Sequence, residues 1–337
     1  MKTYAEAGVD RELRSKAKKQ LADLKSTFSL SKHGNIIETP FNTLYPINNY
    51  IFHVKTSDGV GTKVLLAQLV EKHDTIGIDA IAMVVNDCIR CGAQPLALTD
   101  AIDIKKSEPF LIEEIQKGLN KGAHEAECPL VGGEIADVPE LMNALYHINC
   151  DCVGEVEKNK VINGDKIRPG DIIIGLPSSG AHSNGISLLR KTLFREWGGR
   201  YDTFEKLDNF ERELIFEALE PTKIYVKPFL NLTRKIDVLG AVHITGDAYL
   251  KFRKLTNFGF DFDNFKPQPI FNLIRECGVA TEEMFKAFNM GWGFAVIVKK
   301  ENVEDALQLL KGSEIIGKIT EGGLSIRFEG KKIVLED

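Results

Sequence analysis

Four short stretches set glycine beside a residue able to do chemistry. Residues 57–63 read SDGVGTK, 131–135 read VGGEI, 178–185 read SSGAHSNG and 245–247 read TGD. The first has the ingredients of a phosphate loop but not the order of a Walker A loop, which places a hydroxyl after the lysine. Here Thr62 precedes Lys63, and Asp58 precedes Gly59 and Gly61. Acids at such loops suit Mg2+, which takes oxygen ligands and bridges nucleotide phosphates. Asp58, Asp87, Glu134 and Asp247 are four such donors, far apart in the chain. The SSGAHSNG stretch offers hydroxyls, backbone N–H groups and His182, whose side chain titrates near neutral pH and can move a proton. Blander readings stand beside these. A Gly-Gly before Glu is commonly a plain turn, Asp87 a solvated charge, His182 a surface histidine and Lys63 a solvated lysine. His243, inside an apolar run, reads as a satisfied core residue.

The surrounding pattern shows what must position these residues. NYIFHVKTSDG alternates and ends at the first loop, so that loop caps a strand. Before it, residues 28–50 are largely polar with weak periodicity and read as an extended segment. From Thr75 to Cys91, Ile78, Ile81, Val84, Val85, Cys88 and Ile89 follow helical spacing, and Gly92 is a natural stop. Asp79, Met83, Asn86 and Arg90 form another stripe on that helix, away from its core face. PLALTDAIDI reads as a buried strand, SEPFLIEEIQKGLNKGAHEA as a helix capped by Ser107, and CPLVGGEIADVPE as a short strand running into a loop at Gly132–Glu134. Turn signals crowd residues 159–171 and divide the chain into domains at 1–166 and 167–337. After them IIIGL leads into the Ser178–Gly185 loop and a helix, and GAVHITGD gives another strand and turn. The alternation predicts a mixed α/β (α+β) fold in both halves.

At 337 residues with a net charge of −5, the chain reads as an ordinary two-domain soluble protein without a broad basic surface for nucleic acid. No stretch has the apolar length of a membrane span or signal peptide, so the expectation is a cytoplasmic protein with free thiols. Cys88 and Cys91 (C-x-x-C) and Cys150 and Cys152 (C-x-C) lie in a helical and a strand pattern. They read as packed thiols rather than zinc knuckles.

The strings YAEAGVD, DGVGTK, HDTIGIDAIAMVVND, GAQPLALTDAI, LVGGEIADVP, SSGAHSNGISLLRK, EPTKIYVK and HITGD occur in this order. Together, from Tyr4 onward, they resemble the AIR synthetases, the phosphoribosylformylglycinamidine cyclo-ligases of purine biosynthesis. The resemblance implies an AIR synthetase-like two-domain fold, with an N-terminal sheet that pairs across a homodimer through NYIFHVKT and PLALTDAI. It implies that formylglycinamidine ribonucleotide and ATP give aminoimidazole ribonucleotide, ADP and phosphate through an iminophosphate. It also implies Mg2+ held by Asp58, Asp87 and Glu134, with Asn86 alongside. Gly59 and Gly61 would admit the phosphates, with Thr62 and Lys63 supplying a hydroxyl and a compensating charge. Ser178, Ser179, Gly180, His182, Ser183, Asn184, Thr245 and Gly246 would contact substrate, with His182 transferring a proton.

Two departures stand out. STFSLSKHGNIIETPFN replaces the glycine-rich segment common ahead of the first strand, so no nucleotide-lid residue carries over. Asp247 stands where the family often has glycine, as a further metal ligand or a mark of altered substrate preference. Two alternatives remain: another superfamily enzyme that phosphorylates a small molecule, or a non-catalytic nucleotide-binding paralogue. The absence of cysteine before position 88 weighs against a selenophosphate synthetase. Asp58, Lys63, Asp87, Glu134 and His182 at their motif positions weigh against a non-catalytic chain.

Overall fold

The structure, a computed structural model, describes residues 3–10, 13–14, 16–17 and 21–336. Two sheets organise it. The first has strand order β1-β2-β3-β6-β4-β5, formed by Ile37–Glu38 (β1), Thr43–Pro46 (β2), Ile51–Gly59 (β3), Gln94–Ile104 (β4), Leu130–Asp137 (β5) and Tyr146–Glu157 (β6). Only β4 and β5 run parallel. The alternation seen in the sequence is the register of this sheet: Phe52, Val54 and Thr56 of β3 and Ile148, Cys150 and Cys152 of β6 are buried, while their neighbours turn outward. Helix α1 (Val64–Leu69) follows the first loop. Helix α2 (Ile76–Ile89) lies on the sheet, and α3 (Pro109–Ala126) lies on α2.

The second sheet has order β13-β12-β9-β11-β7-β10-β8, with β7 at Ile172–Pro177, β8 at Gly240–His243, β9 at Gly259–Phe262, β10 at Trp292–Val298, β11 at Glu314–Thr320, β12 at Leu324–Phe328 and β13 at Lys331–Val334. Strand β10 is buried along its whole length, as a central strand with cover on both faces must be. The last strand of the first sheet ends at Glu157 and β7 opens at Ile172. Among the described residues, no helix is long and apolar enough to cross a membrane.

Several local expectations change. Ser107 does not cap α3: Glu108 occupies that position, while the Ser107 amide and hydroxyl donate to Asp137. Gly132–Glu134 is not a loop but the middle of β5. Residues 43–46, within the segment read as loosely extended, form β2 and bury Leu44 completely. The cysteines of both spaced pairs are buried in the first domain.

Candidate active site

The polar stripe of α2 builds the site from below. Asp79, Met83, Asn86 and Arg90 lie on one helical face and all four are buried, the first three against the C-terminal half and Arg90 under Phe41 and Asn42. Asn86 donates to the Lys223 carbonyl at 2.9 Å and accepts from the Tyr225 amide at 2.9 Å. Asn184 Nδ2 reaches Met83 Sδ at 3.9 Å. The Asp79 carboxylate accepts from the Thr222 amide (2.7 Å), the Thr222 hydroxyl (2.6 Å), the Ser183 hydroxyl (3.0 Å) and Lys63 Nζ (2.9 Å).

Lys63 therefore departs from its expected place. It is fully enclosed, with Nζ 2.9 Å from both Asp79 oxygens and donating to the Glu220 carbonyl at 2.6 Å. Burial lowers its pKa, against the pull of Asp79. The loop before it has local reasons for its glycines. A Cβ on Gly59 would collide with Asn149 and the Ile148 carbonyl of β6, and Gly61 sits at φ +64°. Thr62 pairs its hydroxyl with that of Ser187 at 3.0 Å. Asn86, expected beside a metal, is likewise held in the seam between the halves.

At the far end of the stripe a second cluster forms. His243 Nδ1 donates to Asp87 Oδ1 at 2.9 Å, and the Arg90 guanidinium reaches the same oxygen at 2.9 Å. Burial alone would raise Asp87, but Arg90 and His243 outweigh it and hold the carboxyl well below the usual range. Asp87 is thus already charge-compensated, unlike a carboxylate awaiting a metal. His243 was legible only as a core residue. Its Nδ1 is satisfied, yet its Nε2 is buried without a partner, as a lone pair. Lys251 donates to the His243 carbonyl at 3.1 Å and to the Thr245 hydroxyl, and burial pushes it down to about 8.

His182 lies inside the Ser178–Gly185 loop rather than on the surface, 1% exposed and at φ +60°. Its Nε2 accepts from the Ser179 amide at 3.3 Å, so the remaining proton sits on Nδ1, which is buried without a partner. Burial, then the nearby His243, lowers its pKa well below 6.5, and the ring is neutral at pH 7. Around it, Ser179 donates to the Pro221 carbonyl at 2.5 Å, and Gly180 accepts from Asn289 at 2.8 Å. Ser178 is tied to Gln268. Gly246 lies against the Arg14 guanidinium and Asn184.

The four expected metal ligands do not meet. Asp58 stands at the end of β3, raised by desolvation and by the nearby Asp87 charge, which the Gly59 amide, Lys251 and Arg90 offset only in part. The register Gly59, Asn149, Ala101, Glu134 puts Glu134 three strands from that end, roughly 14 Å at ~4.8 Å per strand. Asp247 occupies the turn after β8 at φ +66°. No group of three or more possible ligand residues assembles among the described residues. One acid missed by the sequence reading lies between the separated ends. Asp100 of β4 is raised by desolvation, and its carboxylate lies where a Cβ on Gly133 would stand. Asp100 directly follows the apolar run PLALT, the signal that could have marked it.

Comparison with known proteins gives the family of the chain. The family model described as AIR synthase related protein, N-terminal domain, matches residues 44–156, and that described as the C-terminal domain matches 168–329. A phosphoribosylformylglycinamidine cyclo-ligase of Pyrococcus furiosus is 48% identical over 99% of this chain and 100% of its own. The enzyme of that name from Bacillus cereus strain Q1 is 38% identical over 97% and 98%. Among solved structures, the HypE–HypF complex aligns at TM-score 0.63 with 18% identity, over 94% of this chain and 99% of the other. Hydrogenase maturation protein HypE in complex with ATP aligns at 0.61 with 16% identity, over 95% and 94%. At those identities the structures speak for the fold.

Proposed function

The chain belongs to the AIR synthase related family, and from that premise we propose the chemistry its seam performs. It is an ATP-dependent cyclo-ligase of purine biosynthesis, converting formylglycinamidine ribonucleotide to 5-aminoimidazole ribonucleotide with release of ADP and phosphate. The observation that carries this is 48% identity to a cyclo-ligase across essentially both whole chains.

An amide oxygen is a poor leaving group until it is phosphorylated. ATP therefore serves to convert the formyl oxygen into a phosphate ester, after which the ring nitrogen attacks and phosphate leaves. Positioning and charge neutralisation dominate such a reaction. His182 and His243 supply complementary nitrogens, an N–H on the first and a lone pair on the second. In this reading His182 donates a hydrogen bond to substrate, and His243, oriented by Asp87, accepts the proton lost on ring closure. The Ser178–Asn184 loop, with Thr245 and Gly246, frames the substrate.

Mg2+ fits the open strand ends in part. Asp58 and Asp100 are carboxylates whose ionisation is resisted by desolvation, and such groups gain from a cation. When bound, Mg2+ would neutralise charge on the ATP phosphates. Asp58, Asp100 and Glu134 are the residues proposed to hold it. Because Asp58 and Glu134 are separated within one chain, a homodimer that sets two first sheets face to face is proposed to bring them together. Val131 and Ile135 lie exposed along the edge strand β5, in keeping with a partner there. Sedimentation at twice 37.5 kDa is expected, and a monomer alone at micromolar concentration would argue against the pairing.

The direct test is ADP release by the purified protein with ATP and Mg2+. Release should depend on formylglycinamidine ribonucleotide. Release indifferent to that substrate would favour another phosphorylating enzyme of the superfamily.

A further inference from the structure

We propose that Asp79, held by Lys63, is a positioning residue that fixes the Ser178–Asn184 loop across the seam and so presents His182. This rests on the functional reading above, in which His182 meets substrate.

The loop needs outside support. A non-glycine residue keeps a left-handed backbone only where its surroundings over-determine it, and His182 sits at φ +60°. Ties from within the C-terminal half include Asn289 to the Gly180 carbonyl, Ser179 to the Pro221 carbonyl and Gln268 to Ser178. From the other half, Met83 Sδ meets Asn184 only at 3.9 Å, and the strong tie is Asp79. It takes the hydroxyl of Ser183, next to His182, together with the amide and hydroxyl of Thr222. The Ser183 and Thr222 hydroxyls also lie 3.0 Å apart, so the two segments close on one oxygen.

Four donors converging on a single dry oxygen call for a full negative charge rather than an amide carbonyl. A buried charge in turn requires a partner, and Lys63 is that partner. Its other hydrogen bond, to the Glu220 carbonyl, holds the same segment that carries Thr222. Both members of the ion pair therefore act on the 220–222 segment and, through it and Ser183, on the loop. Lys63 Nζ, committed to Asp79 and the Glu220 carbonyl, is turned away from any phosphate in this arrangement.

The test uses the full-length protein as Lys63→Met, Asp79→Asn, the double variant, Thr222→Val and Thr222→Ser. Turnover and hydrogen exchange of residues 178–184 are measured on each. If the pair positions the loop, each single charge variant loses on the order of 10²-fold in kcat, as small misplacements do, with little change in the KM for ATP. The double variant then recovers part of the loss, because the asparagine amide in place of the Asp79 carboxylate still accepts from Thr222 and Ser183 and no lone ammonium remains. Thr222→Val slows turnover and speeds exchange in the loop, whereas Thr222→Ser behaves as the parent. Two results overturn the proposal. One is a raised KM for ATP in Lys63→Met with no recovery in the double variant, which would put Lys63 on the nucleotide. The other is unchanged loop exchange in Thr222→Val, a readout that also survives failure of a charge variant to fold. Loop exchange does not depend on turnover, so a parent protein inactive on the formyl substrate would sink the functional reading and leave this one standing.

Discussion

Two sets of acids in this molecule share a chemistry and have opposite surroundings. Asp79, fully buried, and Asp87, partly buried, both on α2 and facing the C-terminal half, are surrounded by donors: Lys63, Ser183 and Thr222 for one, Arg90 and His243 for the other. Asp58 at the end of β3, Asp100 within β4 and Glu134 within β5 have no ion pair within 4 Å among the described residues; desolvation raises Asp58 and Asp100, with Lys251 and Arg90 acting on Asp58 only from further off. A satisfied carboxylate holds structure, whereas a carboxylate left short of positive charge is available to a ligand. The division separates scaffold from site more sharply than residue type does.

The largest expected effect tests the enclosed set. Asp79→Ala leaves Lys63 charged and unpaired in a dry seam, and should cost about 3–5 kcal/mol of stability by denaturant titration. A loss under about 1 kcal/mol would mean that the seam opens to water and that Asp79 belongs with Asp58, Asp100 and Glu134. The open set predicts the reverse. Asp58→Asn and Asp100→Asn should abolish Mg2+-dependent ATP turnover while leaving the fold intact. Both groups are raised above 3.8 in the folded chain. Without metal, the folded state holds their protons more tightly than the unfolded state, so stability falls as pH rises through and beyond that value. Metal-free Asn variants should therefore melt slightly higher than the parent at neutral pH and match it below pH 3.8. Near-normal turnover at saturating Mg2+ in either variant would remove that residue from the metal set.

The sequence showed this contrast only in part. Periodicity located α2, and the crowded turns at 159–171 fall between the end of β6 at Glu157 and the start of β7 at Ile172. It did not show that the second stripe of α2 is buried, because nothing local distinguishes a polar face in solvent from one in contact with another domain. For the same reason Lys63 read as a solvent or phosphate lysine: its partner Asp79 is 16 residues away and its other contact 157. Asp87 read as a solvated charge or a metal ligand; its pairing with Arg90 three residues on and with His243 156 residues on appears only in the structure. Glu134 failed differently. Gly-Gly ordinarily signals a turn, yet here glycine keeps β5 straight beside the Asp100 carboxylate.

A smaller effect follows from His182, which the enclosed set supports without giving it charge. Its pKa lies well below 6.5, chiefly from desolvation, and His243 and His73 are lowered as well. Below pH 6.5 the unfolded chain binds protons that the folded chain refuses, so stability present above that value is lost as pH falls. Asn tolerates a left-handed backbone better than other non-glycine residues. His182→Asn should therefore keep the loop while removing one titrating ring. The acid limb of stability should become shallower, by at most about 1.4 kcal/mol per pH unit. An unchanged limb would show that His182 takes a proton in the folded state, and so acts as a base rather than as a donor.

The smallest effect concerns the turn after β8. Asp247 and Ala248 sit at φ +66° and +38°, the left-handed region that glycine fills without cost. This gives a backbone reason for the glycines the family often carries there, independent of any metal. It also separates Asp247 from Asp58, Asp100 and Glu134, which lie on ordinary strand backbone. Asp247→Gly exchanges a left-handed penalty of roughly 1 kcal/mol for glycine's greater freedom in the unfolded chain, and the two nearly cancel. Thermal stability should shift by under about 1 kcal/mol. The Mg2+ concentration giving half-maximal turnover should stay where it is in the parent. A clear rise in that concentration would return Asp247 to the metal shell and move it from the structural to the ligand-seeking acids.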